Sequence, residues 1–346
     1  MTGIRLKWHG ALVWLGLVLA AGVGRHDALA FAPRAGTKAP VGFGAGTSGG
    51  AGGSLCQWRD EATLRACVTA PGSTIAQAVG DPVVRLLHDV RIGSNKTLFG
   101  PATITASNIV MLEIRHQSNV IVHGIKFVGD LAGNCAEQGQ GGSPAGVKRC
   151  GVPISIIDAV SHVWLDQDGF DRCGEKCLEI WSLGPGRTPD AITVSNSTFS
   201  NSYFCAAVGV SAHTAVPPPG SERVTFLNNT FDHCYRRSVR AASGAWVHEI
   251  DNVIKDWGPS TGPCRAGGYG FGPSSVGGAQ LLLEGNTFIA GPVCKEAVNI
   301  AGYHVARSGE RGAGAVRAGN NRTENGATVK ESLRAAVFTP PYRLNR

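Results

Sequence analysis

The sequence predicts a right-handed parallel β-helix, a solenoid of stacked coils with loop excursions, and three observations predict it. An eight-residue pattern recurs six times: VIVHGIKF at 120–127, VWLDQDGF at 163–170, ITVSNSTF at 192–199, VTFLNNTF at 224–231, VHEIDNVI at 247–254 and LLLEGNTF at 281–288. Each copy opens apolar, carries Asn, Asp, Gln or Gly near position five, and closes in Phe or Ile at position eight. Successive copies start 43, 29, 32, 23 and 34 residues apart, so a common unit recurs with loops of different length between copies.

The unit has a physical logic. Alternating apolar residues make a short strand with one face buried. A polar bend residue follows, because the chain turns there without a helix. The closing apolar residue returns to the same core. One unit cannot bury its apolar face alone, so units stack. The shortest interval, 23 residues, is about one coil. Asn196, Asn228 and Asp251 share position five, and Asn229, Asn252 and Asn286 share position six. Stacking places such residues in ladders, so they are expected as turn-formers rather than catalysts. A β-sandwich does not predict one motif repeated in one register. A propeller blade needs about 40–45 residues, more than most intervals here hold.

Taken in chain order, residues 1–30 read as a signal peptide. Arg5 and Lys7 precede the apolar run 11–23, and Ala28-Leu29-Ala30 supplies small residues for cleavage. The run is too short to span a bilayer. No later run is long and apolar enough to do so, and the mature chain is expected to be secreted, into the periplasm or outside the cell. Residues 31–54, rich in Gly, Ala, Pro and Ser, read as a flexible leader, and 55–346 as the β-helix domain. Gly-rich stretches at 132–147 and 258–278, and the segment 217–220, read as excursions from the scaffold.

Composition excludes other classes. Charged residues are 16% and mean hydropathy is +0.01, too apolar for a disordered chain. Gly 48 and Pro 18 show no three-residue period, which excludes collagen. The formal charge is +7, and removal of residues 1–30 lowers it by two. A modestly basic exported protein suits an anionic polymer. The basic residues form no dense run, so nucleic acid is not indicated. All ten cysteines lie beyond residue 30, and an even count after export reads as disulfides. Cys173 and Cys177 have no partner pair at zinc-finger spacing. Trp164, Trp181, Trp246 and Trp257 are sugar-stacking candidates, although Trp in a repeat is more often core. The histidines show no metal-ligand spacing, and His248, inside a repeat, reads as structural.

Beyond the repeat, GSNKTLFG at 93–100, NVIVHGIKF at 119–127 and ISIIDAVSHVWLDQ at 154–167 stand in order with DAITVSNSTF at 190–199, VTFLNNTF at 224–231 and PPYRL at 340–344. Together these resemble the extracellular pectate and pectin lyases, parallel β-helix polysaccharide lyases, from about Leu64 to about Leu344. The resemblance implies cleavage of α-1,4-linked polygalacturonate by β-elimination. Removing the C5 proton of a uronate builds negative charge at the adjacent carboxylate, so such a site needs a base and a cation at that carboxylate. A monomer acting on plant cell-wall pectate or pectin is expected.

Carried over residue by residue, the family's Arg base falls on Arg237, six residues after Phe231. Arg240 matches the second Arg of the same element, and Gly244 a family Gly. Arg236 and Arg240 are the expected grips on substrate carboxylates. An Arg base must be brought to release a tightly held proton, which neighbouring cations or desolvation promote. The family's calcium is held by carboxylates, and two positions correspond to Glu175 and Glu179. A third falls at Val152-Pro153, which has no side-chain oxygen. Asp166 and Asp168 stand either as substitutes from an adjacent coil or as bend residues. The family's substrate-gripping Lys falls on Phe204, the Pro of its Arg-x-Pro-Arg element on Val239, and a following Arg on Ala242. These departures leave three alternatives: a lyase for methylated pectin, a lyase for another polyuronate, and a polysaccharide-binding protein without catalysis. A hydrolase would need clustered Asp residues, for which Asp166, Asp168 and Asp171 are the candidates.

Overall fold

Alternating burial along the repeat winds the chain into coils whose strands pair in parallel from one turn to the next. The computed structural model describes residues 39–107, 109–129, 151–174, 176–184, 186–209, 218–264, 270–300, 313–332 and 336–344. Every strand pairing between named strands is parallel, and the coils present three faces, termed sheets I, II and III.

Sheet I carries the first half of the repeat. Val120, Val163, Ile192, Val224, Val247 and Leu281, all at position one, are paired in succession. Sheet II carries the end, where Phe127, Phe170, Phe199, Phe231, Ile254 and Phe288 pair in the same way. These position-eight side chains are fully buried. The first four rings stack at 5.2, 4.5 and 4.9 Å between centroids, within the range where aromatic pairs attract. The expected β-helix is thus the observed fold.

The corner between sheets I and II explains the polar positions. Gly124, Gln167, Asn196, Asn228, Asp251 and Gly285, all at position five, have φ between 51° and 71°. Glycine enters this left-handed region without steric cost, and Asn and Asp enter it more readily than other side-chain-bearing residues. Position six builds the ladder. Asn229 donates through its backbone and side-chain nitrogens to Asn252 Oδ1, and Asn252 does the same to Asn286 Oδ1. Asn286 continues to Asn321. Asn321 belongs to a seventh copy, at 316–323, which closes in Thr323 opposite Phe288. Its polar closing residue hid it from a pattern defined by Phe or Ile.

The N-terminal end of the solenoid is covered by the helix Glu61–Thr69, which buries Leu64, Cys67 and Val68. Asp60 caps it in a reciprocal box with Thr63. Residues 39–54, expected as part of a flexible leader, pack against sheet I instead. Phe43 N–H donates to Thr225 Oγ1, Gly44 N–H to Thr193 Oγ1 and Gly50 N–H to Thr97 Oγ1. A Cβ at Gly44 would lie 2.7 Å from Thr193 N, so the glycines allow this backbone to reach the outward threonines. Phe338 and Tyr342 complete the cover over Phe43. The expected signal peptide, 1–30, lies outside the described residues.

Four disulfides join Cys56 to Cys67, Cys173 to Cys177, Cys205 to Cys234 and Cys264 to Cys294. Cys135 and Cys150 lie outside the described residues. No helix among the described residues is long and apolar enough to cross a membrane, which says nothing of a β-barrel.

Candidate active site

The candidate site lies on sheet III, formed by strands Val110–Arg115, Val152–Ile157 and Lys176–Trp181, residues 204–208, and strands Arg240–Ala241 and Ser274–Ser275. One register row runs Glu113, Ser155, Glu179, Ala207, Arg240, Ser274. A second row runs Lys176, Phe204, Arg236. Neighbouring strands are about 4.8 Å apart, so Glu179 and Arg240 stand about 10 Å apart along the sheet.

The three expected arginines come together at the end of strand Thr230–Arg236 and the start of the next. Arg237 adopts φ 60°, a left-handed conformation unusual for a side chain of this size. The surrounding backbone holds it there. Its carbonyl accepts from Cys205 N–H and Ala206 N–H at 3.1 Å each, and its own N–H donates to the Phe271 carbonyl at 3.2 Å. The disulfide between Cys205 and Cys234 ties the same two coils. Arg236 and Arg237 are buried, and Arg240 is half-buried.

Phe204 organises this corner. The Arg237 guanidinium carbon lies 4.0 Å from the Phe204 ring centroid, and that of Arg236 lies 4.7 Å from it and 5.2 Å from Tyr203. Cation–π contacts of this kind contribute about 0.5–2 kcal/mol and favour the charged guanidinium. The ring therefore occupies the place expected for a Lys and serves as a platform for two cations.

The expected metal positions are only partly met. Glu175 lies outside the described residues. Glu179 is on sheet III, and its two oxygens already have partners: Ser155 Oγ donates to Oε1 at 2.8 Å, and Lys176 Nζ is 3.5 Å from Oε2. Val152 and Pro153 are strand residues without a side-chain ligand. Calcium takes six to eight oxygens, and an ammonium on the same carboxylate repels a second cation. The described residues therefore do not make a calcium site at Glu179.

Asp166 and Asp168 do not stand in for the absent ligand, because both lie at the corner between sheets I and II. Burial pushes the Asp166 carboxyl up, but bonds from His123, Ser195 and Asn196 outweigh it and hold it below the ordinary value. Asp168 accepts from Ile125 N–H, and burial raises its carboxyl well above the ordinary range. Asp166 ends strand Ser161–Asp166 and Asp168 follows the bend at Gln167, so both serve the corner. Asp171 pairs with Arg172 and accepts from Asn201 on the outside of sheet II, so the three Asp residues form no hydrolase cluster. A metal-competent group does occur elsewhere among the described residues: Asp232, His233 and Asp256 hold ligand atoms within 4.8 Å of one another. Lys255 Nζ is 2.8 Å from Asp232, which neutralises part of its charge.

Trp164 donates to Ser195, Trp246 stacks on Phe338, and Trp257 is buried. Trp181 lies on sheet III, with Nε1 3.4 Å from Ser155 Oγ. His248 is buried between Tyr342 Oη at 2.7 Å and Glu284 at 3.2 Å, as a structural residue would be. Lys176 escaped the sequence reading. Its signal is the cross-coil pairing with Phe204, which adjacency along the chain does not display.

Comparison with known proteins agrees with the β-helix fold. The sequence profile described as pectate lyase matches residues 63–330. Pectate lyase B of Colletotrichum gloeosporioides is 28% identical over 251 residues, covering 72% of this chain and 66% of the relative. Pectate lyase E of Dickeya chrysanthemi is 30% identical over 213 residues, 58% of this chain and 50% of the relative. The chain thus spans between half and just under two thirds of these relatives' length. Among solved structures, the cedar pollen allergen jun a 1 superposes with a TM-score of 0.64 at 20% identity, covering 88% of this chain and 86% of the other. A Bacillus sp. N165 pectate lyase in complex with trigalacturonate superposes at 0.57 with 16% identity, covering 88% and 93%. At these identities the superpositions show a shared fold.

Proposed function

The chain belongs to the pectate lyase family, and from that premise we propose that it cleaves polygalacturonate, or a related polyuronate, by β-elimination on sheet III. The observation that carries the reading is the convergence of Arg236, Arg237 and Arg240 beside strands Lys176–Trp181 and Thr198–Val208. Three guanidinium groups on one face suit a polymer with a carboxylate on every sugar.

In this reading Arg240 and Arg236 pair with uronate carboxylates, and their charge stabilises the negative charge that develops as C5 loses its proton. Arg237 takes that proton. The electron pair forms the C4–C5 double bond, and the glycosidic oxygen leaves C4 and takes a proton from water to become the hydroxyl of the released chain. Release of the guanidinium proton is the demanding step, since arginine holds it tightly in water. Burial and the neighbouring cations promote release, whereas the Phe204 ring favours the charged form. No step is routed through calcium, because the described donor set does not hold it at Glu179. Export through residues 1–30, in keeping with the four disulfides among the described residues, would bring the protein to its polymer.

Ultraviolet absorbance of unsaturated product, with polygalacturonate and with methylated pectin as substrates, tests the reading. Product from wild type, and product formed roughly 100-fold or more slowly by Arg237→Lys, is the expected result. Undiminished turnover by Arg237→Lys removes Arg237 from the base role. A second reading, binding without cleavage, draws on Phe204, which stabilises the charged Arg237, and on Val239 and Ala242 at the other departed positions. Binding of polygalacturonate without product, from folded wild type, would establish it.

A further inference from the structure

The family position for a substrate-gripping lysine holds Phe204, buried and faced by two guanidinium groups. One coil earlier, in the same register row, stands Lys176, paired with Phe204, which pairs in turn with Arg236. In-register neighbours in a parallel sheet project to the same side, so an ammonium has moved one strand spacing, about 4.8 Å, along the face. Its side chain is 16% exposed, enough to meet a ligand lying on sheet III. Lys176 Nζ lies 3.5 Å from Glu179 Oε2, and Ser155 orients the other carboxylate oxygen.

We propose that Lys176 is a substrate-binding residue that receives a uronate carboxylate on sheet III and supplies there, without added calcium, the local positive charge the polyanion requires. This rests on the polyuronate reading above. Glu179 holds the ammonium in place as a positioning residue. Ser155 anchors Glu179, so the lysine is pre-oriented before the polymer arrives. The carboxylate-facing cations are then Lys176, Arg236 and Arg240, all carried by the chain itself. A carboxylate bound between the Lys176 and Arg236 strands would straddle the Phe204 ring, which excludes water beneath it and strengthens both charge pairs.

Calorimetric titration with trigalacturonate in the presence of a chelator tests the proposal, using wild type, Lys176→Met and Lys176→Arg, with unsaturated product followed in parallel. Wild type is expected to bind in chelator, and Lys176→Met to bind roughly 30-fold or more weakly, the scale of a lost charge-assisted contact. Lys176→Arg should recover most of that loss, which a merely structural lysine would not require. Matching circular dichroism melts exclude a folding defect. Equal binding by Lys176→Met, or binding by wild type only when calcium is added, overturns the proposal. Lysine-dependent binding with no product under any condition upholds the proposal and rejects the lyase reading. Absence of binding by folded wild type overturns both.

Discussion

Asn252 lies at the middle of the position-six ladder, and Asn252→Leu tests what that ladder contributes. Its Oδ1 accepts from Asn229 N–H at 2.8 Å and from Asn229 Nδ2 at 3.0 Å. Its Nδ2 donates to the Phe226 carbonyl at 3.0 Å and to Asn286 Oδ1 at 3.0 Å. Leucine has similar bulk and admits no water in place of the amide. Two partners keep other bonds: Asn229 Nδ2 still reaches the Val194 carbonyl, and Asn286 Oδ1 still accepts from the residue-252 backbone. The Asn229 N–H and the Phe226 carbonyl lose these bonds. Each such buried loss costs about 1–3 kcal/mol, and the added apolar burial returns about 1–2 kcal/mol. At the middle of these ranges the net expectation is a loss of about 2–3 kcal/mol. At roughly 2 °C per kcal/mol for a domain of this size, the melting temperature should fall by about 4–6 °C. Circular dichroism melts of the oxidised protein read this directly. A melting temperature equal to or above that of wild type would refute the view that the ladder satisfies otherwise stranded backbone groups.

Further expectations concern the core, the disulfide and the site. Burial holds the Glu249 carboxyl well above its ordinary value, so the folded protein keeps a proton that the unfolded chain releases. That stability is complete below the unfolded value and is lost as pH rises through the folded one. Glu249→Gln should therefore raise the melting temperature more at about pH 8 than at about pH 4 by scanning calorimetry, and equal shifts would contradict the linkage. Replacing Cys205 and Cys234 together by Ala removes a cross-link between residues 29 apart, worth roughly 3–4 kcal/mol by loop entropy. Denaturant melts should register the loss, together with reduced turnover from the loosened Arg237 corner. Arg237→Lys should lower kcat by roughly 100-fold or more while trigalacturonate affinity changes only a few-fold, as expected for loss of a proton-transfer group. A parallel rise in Kd would instead make Arg237 a binding residue.

The legible part of the site was the part set close together along the chain. Arg236, Arg237 and Arg240 follow Phe231 within nine residues, so their approach depends on local geometry. Phe204 was also marked, as a departure from the lysine expected there. Its ring face toward Arg236 and Arg237 was not legible, because those residues belong to the next coil. Nor was the engagement of Glu179, whose partners lie three residues away in Lys176 and on another strand in Ser155.

By itself the sequence determined the coil unit. Strand alternation, the left-handed corner and the closing Phe are short-range properties, decided by backbone sterics and side-chain shape within eight residues. For the same reason it foretold the Asn ladder, since equal positions in equal units must stack. Only the tertiary structure decided which residues meet across coils. That depends on loops that make successive starts 23 to 43 residues apart, whose path no local rule sets. It placed Lys176 opposite Phe204, sent Asp166 and Asp168 to a different corner from Glu179, and laid the Gly-rich segment 39–54 on sheet I. Glycine composition reads as freedom in a chain alone. Against a row of outward threonine hydroxyls, the same absence of side chains becomes close backbone approach and order.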